Sequence, residues 1–156
     1  MPLAAGGAFR YAGKAPLFQE VVANQDSFDR YVRQLETACA GKGVTFRYGV
    51  DVARSPELLR PFDRIVIATG AAYRFGLGPL ATAVLDRGGG RWPLLRNLLA
   101  APAVRDWFYH RARQPTGAAL RGLAAPGQQV QVIGDALAAG KSRPAIASAF
   151  EAALRP

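Results

Sequence analysis

Thr69-Gly70 and Gly134-Asp135 are the places where this sequence is best equipped for chemistry. Each pair directly follows a short apolar run, Ile65-Val66-Ile67-Ala68 in one case and Val130-Gln131-Val132-Ile133 in the other. A glycine at a strand end removes the Cβ that would block a ligand approaching the backbone. In open α/β sheets, ligands lie beyond the carboxyl ends of the strands, where both pairs are expected. Lys141, Ser142 and Arg143 stand just before the last helix, where they offer a cation and a cap beside its amides and positive dipole end. Taken alone, Gly134-Asp135 reads equally as an ordinary turn with an aspartate cap.

Other reactive side chains make weaker cases. His110 is the only histidine. Its near-neutral titration suits acid–base work, but its setting in Trp107-Phe108-Tyr109-His110-Arg111 reads as a packed or surface helix position. Cys39 sits on the apolar face of a helix and reads as a small core residue rather than a redox thiol. There is no GxSxG motif and no Ser/His/Asp arrangement. The chain has neither a CxxC pair nor a His/Cys cluster with metal-ligand spacing. Gly88-Gly89-Gly90 does not follow a strand and lacks the third glycine's spacing, so it reads as a loop rather than a nucleotide fingerprint.

The elements that must position these residues follow from periodicity. The first 25 residues read as a loop with at most a helical turn near Pro16–Ala23. Phe28, Tyr31, Val32, Leu35, Ala38 and Cys39 recur at three- and four-residue steps behind the N-cap Ser27, which predicts an amphipathic helix to Ala40. Gly41-Lys42-Gly43 stops it. Val44–Tyr48 is β-branched and aromatic and predicts a strand, bent at Gly49. Ser55-Pro56 opens a short helix. Arg64–Ala68 predicts a central parallel strand buried on both faces. From Ala71 to Gly127, short helices over Pro79–Leu85, Pro93–Leu99, Val104–Arg113 and Gly117–Leu123 are expected, with no strand among them. Gln129–Ile133 predicts a strand and Pro144–Leu154 an alanine-rich helix.

Size and composition bound the rest. A chain of 156 residues buries one core, so a single domain is expected. Half its residues are apolar and a fifth charged, an ordinary globular balance. No apolar run reaches the roughly 18 residues of a membrane span, and the first residues do not resemble a secretory signal. The unpaired Cys39 fits a reducing, cytoplasmic setting. The net charge of +9 is carried almost wholly by arginine. Arginines recur from Arg87 to Arg121, interleaved with Trp, Leu and Pro. That pattern reads as a solvated surface or as a footprint for an anionic partner. The aromatic-basic segment Trp92–Arg113 reads as an amphipathic helical lid or as a face for an anionic membrane.

Four segments in this order resemble the FAD/NAD(P) oxidoreductases of the flavoprotein disulfide-reductase-like superfamily. They look closest to the C-terminal flavin domains of NADH:flavin oxidoreductases related to trimethylamine dehydrogenase. Ala5-Gly6-Gly7-Ala8-Phe9 is similar to that family's Gly-Gly segment after the ribose-binding acid. Gly43–Val52 looks like its strand and bend reaching the adenine side. Phe62–Ala71 resembles its Ala-Thr-Gly motif after a hydrophobic strand, and Val132-Ile133-Gly134-Asp135 its terminal Gly-Asp motif.

The resemblance implies an α/β fold: a partial Rossmann-like FAD-binding domain over residues 1–156, with a helical insert at 71–127. It implies FAD contacts at Gly6, Gly7, Val52, Thr69, Gly70, Gly134, Asp135 and Ser142, with Asp135 accepting a hydrogen bond from a ribityl hydroxyl. Phe9, Tyr11, Phe18, Tyr73 and Phe75 would line the flavin opening under the lid. The family's strand–GxGxxG–helix opening has no counterpart here, so the chain is expected to be an N-terminally truncated flavoprotein whose phosphate cradle comes from elsewhere. Nor is there a second GxGxxG for a nicotinamide. An alternative is a non-catalytic small subunit or fragment completing a partner flavoprotein. A basic module for anionic surfaces is the third reading.

Overall fold

The computed structural model describes residues 5–7, 9, 25–74, 77–88, 92–140 and 142–155. Tyr11, Phe18, Phe75, Lys141 and the turn expected near Pro16–Ala23 lie outside the described residues. The architecture is helices with small sheets of both parallel and antiparallel pairing. The backbone packs as two compact units, Met1–Val50 with Pro79–Arg105, and Asp51–Gly78 with Asp106–Pro156.

The first unit is built on helix α1, Gln25–Gly41. Its partly covered positions, Phe28, Val32, Glu36 and Cys39, recur at helical spacing. Phe9 packs edge-on to Phe28, with ring centres 5.0 Å apart, and lies 5.8 Å from Tyr31. The helix ends as its glycines predict. Gly43 takes φ +84°, and the Gly43 and Val44 amides donate to the Ala40 and Cys39 carbonyls at 2.9 and 3.1 Å. This pair of bonds is a Schellman closure, which needs a left-handed residue at that position.

Val44–Tyr48 is not a strand. Its side chains alternate, so Phe46 and Tyr48 stack with ring centres 5.9 Å apart, and the Tyr48 hydroxyl donates to the Glu36 carboxylate. No ladder forms, because β-propensity supplies side-chain fit and not the second backbone a strand requires. The same unit holds most of α2 (Leu77–Asp86), α3 (Pro93–Ala100) and the start of α4 (Pro102–His110).

The second unit carries the sheets. Strands β1 (Arg64–Ile67) and β4 (Gln129–Val132) pair in parallel, with Arg64 opposite Gln129 and Ile67 opposite Val132. The Gln129 amide donates to the Asp63 carbonyl at 2.8 Å and the Ile133 amide to the Ile67 carbonyl at 3.0 Å, bracketing the ladder. Alternation places Ile65, Ile67, Val130 and Val132 on one face. There Ile67, Val132 and Ala136 form a core flanked by Leu120 of α5, Gly117–Arg121.

The other face holds Arg64 and Val66. Val66 is 45% exposed, so β1 is not buried on both faces as its apolar run suggested. Two strands are too few to present a doubly covered interior. Arg64 reaches across that face to Gln131 Oε1 at 2.8 Å and to the Ala152 carbonyl at 2.6 Å. Ala152 lies in the last turn of α6, Ser142–Leu154. Its carbonyl has no partner within the helix, and a guanidinium there satisfies it and complements the negative dipole end. On α6, Ile146, Phe150 and Leu154 form an exposed row at four-residue steps, while Ala152 is buried.

The segment expected to be purely helical also contains strands. β2 (Ala71–Tyr73) and β3 (Arg113–Pro115) pair antiparallel, Ala71 opposite Pro115 and Tyr73 opposite Arg113. The Arg74 amide extends the ribbon by donating to the Ala112 carbonyl at 2.7 Å, and Ala112 is fully buried.

Candidate functional site

Parallel pairing brings the carboxyl ends of β1 and β4 side by side, and with them Thr69-Gly70 and Gly134-Asp135. At the β1 end, Gly70 has φ +78° and nothing lies within 4 Å of where its Cβ would be. Conformation demands glycine there, and the space beside it is open. The Thr116 hydroxyl donates to the Gly70 carbonyl at 2.8 Å. A carbonyl only accepts, so that bond uses Thr116's one proton. The 2.8 Å contact between the Thr69 and Thr116 hydroxyls is therefore donated by Thr69. This relay leaves the Thr69 oxygen as an acceptor toward the open side.

At the β4 end, Gly134 has φ +59°, and its amide donates to Ser148 Oγ of α6 at 2.8 Å. Ser148 in turn donates to the Ala145 carbonyl at 2.9 Å. The Gly134 amide thus holds α6 against the strand end. Asp135 is held as firmly. Its Oδ2 lies 2.8 Å from Arg113 Nη1 of β3, and its Oδ1 accepts the Gly140 amide at 3.3 Å. The same guanidinium donates from Nη2 to the Gly140 carbonyl at 2.5 Å. Arg113 is 10% exposed and Asp135 24%, so the pair is sheltered but its acid still meets solvent. An aspartate in this pairing is an acceptor with lone pairs to spare on both oxygens.

The remaining expected residues are spread out. Val52 lines an apolar groove of about 120 Å³ beside β1, together with Leu59, Val66, Thr69 and Leu123. Ser142 is exposed at the start of α6. Gly6 and Gly7 belong to the first unit, at φ +99° and +48°, in a turn closed by the Phe9 amide on the Gly6 carbonyl at 2.9 Å. Cys39 is a half-covered thiol on α1, and His110 ends α4. A second cavity, about 210 Å³ and lined by Glu57, Arg60 and Gln128, lies at the amino ends of the strands. That is the end α/β sheets do not use for ligands.

Arg113, Thr116 and Ser148 complete the site and escaped sequence reasoning. Each belongs to an element whose place depends on long-range pairing, and none carries a motif. Among the described residues no His/Cys/Asp/Glu group could hold a metal ion, and no helix is long and apolar enough to cross a membrane. No family model, curated protein or solved structure matches the chain. The site must be read on its own geometry.

Acceptors at Thr69 and Asp135 beside an open glycine suit hydroxyl groups of a polyol. The groove at about 120 Å³ is well below the roughly 300 Å³ at which drug-sized pockets begin. Among the described residues there is no glycine-rich strand-to-helix loop to cradle a pyrophosphate.

Proposed function

We propose that this chain is the C-terminal FAD-binding portion of a flavin-dependent oxidoreductase, the portion that lacks the GxGxxG half and meets the ribityl hydroxyls of the cofactor. The observation that carries the reading is the parallel pairing of β1 and β4, which sets two glycine turns and two hydroxyl-directed acceptors at one sheet end. FAD would supply the electron chemistry. Thr69 and Asp135 would accept from its ribityl hydroxyls, and Gly70 would let it approach the backbone, whereas the space beside Gly134 is taken by Ala145 of α6. The phosphate half would come from a strand–GxGxxG–helix unit supplied by missing sequence or by another polypeptide. A second reading, a non-catalytic small subunit completing a partner flavoprotein, is favoured by one specific observation. Among the described residues the parallel sheet has two strands, and the unpaired edges of β1 and β4 there could accept a partner's strand.

Titration of the purified chain with riboflavin, FMN and FAD, followed by flavin fluorescence, tests the main reading. A site for the polyol end alone binds all three weakly and within about threefold of one another, and ADP does not compete. Thr69→Val removes one acceptor and weakens riboflavin binding about tenfold. Absence of flavin binding at millimolar concentration would sink the proposal. So would FAD binding far tighter than riboflavin, because that requires a phosphate cradle within this chain.

A further inference from the structure

Within the first unit, large apolar side chains on α2, on α3 and at its N-cap stand in solvent. Leu94 is 84% exposed and Leu98, one turn later, 55%. Trp92, which precedes the helix at its N-cap, is 52% exposed, and Leu80 of α2 is 61% exposed. Single exposed leucines need no explanation, but several together with a tryptophan mark an interaction face. The charge carried by the same stretch of sequence says what that face meets. From Pro79 to Arg105 the sequence holds Arg87, Arg91, Arg96 and Arg105 against one acid, Asp86. The exposed row on α6 has no such bias, since Arg143 and Glu151 share that helix.

We propose that this face is a docking surface for an anionic phospholipid membrane. α3 would lie in the headgroup plane with Trp92, Leu94 and Leu98 at the acyl boundary, drawn to lipid phosphates by the basic charge of its stretch of sequence, in which Arg87 is exposed. Tryptophan favours that boundary because its ring is apolar and its indole N–H remains solvated. Each arginine adds attraction to a negatively charged leaflet that falls away within a Debye length. Membrane docking combines an apolar anchor with basic charge, and the sequence from Pro79 to Arg105 carries both kinds of residue. A protein partner or a second copy would use the leucines without needing the arginines. Nucleic acid would use the arginines without needing the leucines.

The test is co-sedimentation of the full chain with vesicles of phosphatidylcholine alone and with about 30 mol% phosphatidylserine. Binding is expected to be about tenfold or more stronger to the anionic vesicles and to fall as salt is raised. In a Trp107→Phe background the emission of Trp92 should shift to the blue on binding. The double variant Leu94→Glu with Leu98→Glu, shown by circular dichroism to keep the parent's helix content, should lose at least about tenfold of the anionic-vesicle binding. Equal binding to neutral and anionic vesicles overturns the proposal, as does no binding to either. Binding that survives the double variant reduces the interaction to charge alone and also overturns it. Self-association that needs Leu94 and Leu98 in the absence of lipid assigns the face to a second copy instead. Flavin titration of the double variant keeps this question separate from cofactor binding.

Discussion

Gly117 opens α5 directly after Thr116, and replacing it with alanine sets two effects against each other. Helix propensity favours the change by about 1 kcal/mol, since glycine is the costlier residue in a helix. Packing opposes it. An ideal Cβ at position 117 would stand 2.7 Å from the Ala136 carbonyl oxygen and would overlap the Val132 side chain. Overfilling a packed site costs about 1–3 kcal/mol, and the upper end applies because a backbone carbonyl cannot rotate away. The net expectation is a loss of about 2 kcal/mol. In a domain of about 60–100 residues each kcal/mol moves the melting temperature by about 4–8 °C, so the midpoint should fall by about 10 °C. Thermal unfolding followed by circular dichroism reads this directly. Ala118→Gly, at the exposed neighbouring position, is the control that changes propensity alone and should cost only about 1 kcal/mol. Moving α5 off β4 would also draw Thr116 from the Gly70 carbonyl, so Gly117→Ala should weaken riboflavin binding too. A Gly117→Ala protein that melts at or above the parent temperature refutes this account of how α5 meets β4.

Two other perturbations probe separate contacts. Arg64→Met keeps the aliphatic stem but removes the bonds to Gln131 and to the Ala152 carbonyl. It should cost about 2 kcal/mol in chemical denaturation, and a loss below about 0.5 kcal/mol would mean that the α6 cap contributes nothing. Tyr48 titrates above its ordinary range, chiefly because its hydroxyl donates to the Glu36 carboxylate, helped by desolvation and by the Glu36 charge. A raised phenol value means that folding favours the protonated ring. The contribution is whole below the unfolded value near 10 and disappears as pH rises through the folded value. Absorbance titration at tyrosinate wavelengths should show one late tyrosine in the native protein, and Glu36→Gln should return it most of the way.

The sequence was most legible where a pattern and a stop signal coincide. α1 follows from the spacing of Phe28, Val32 and Cys39, and its end from Gly43. β1 and β4 follow from short apolar runs ending in glycine turns. Their parallel neighbourhood rests on general α/β rules, and nothing in either run names the other as partner. β2 and β3 are three residues each, too short for a period, and Arg113-Gln114-Pro115 has no strand composition. They exist because Ala71 and Tyr73 find Pro115 and Arg113 across a long helical excursion. Val44–Tyr48 failed the opposite way, with strand-like residues and no second backbone. At the site, glycines and an aspartate could be picked out because their chemistry is local. Arg113 could not, because one arginine among many becomes Asp135's partner only through the β2–β3 ribbon.

The pairing of Arg64 with Gln129 spans about 65 positions of chain, and it sets the order of events when the protein is made. On a ribosome β1 emerges long before β4, and in that interval the hydrophobic side chains of Ile65 and Ile67 have no strand to share. Closing so long a loop is slow compared with forming α1, whose helical hydrogen bonds are all local. α1 can therefore form while the rest is still being synthesised, whereas the second unit must wait for β4 and α6. Nascent β1 is then the segment most in need of protection, and a chaperone that binds extended apolar peptides would find it at Ile65-Val66-Ile67.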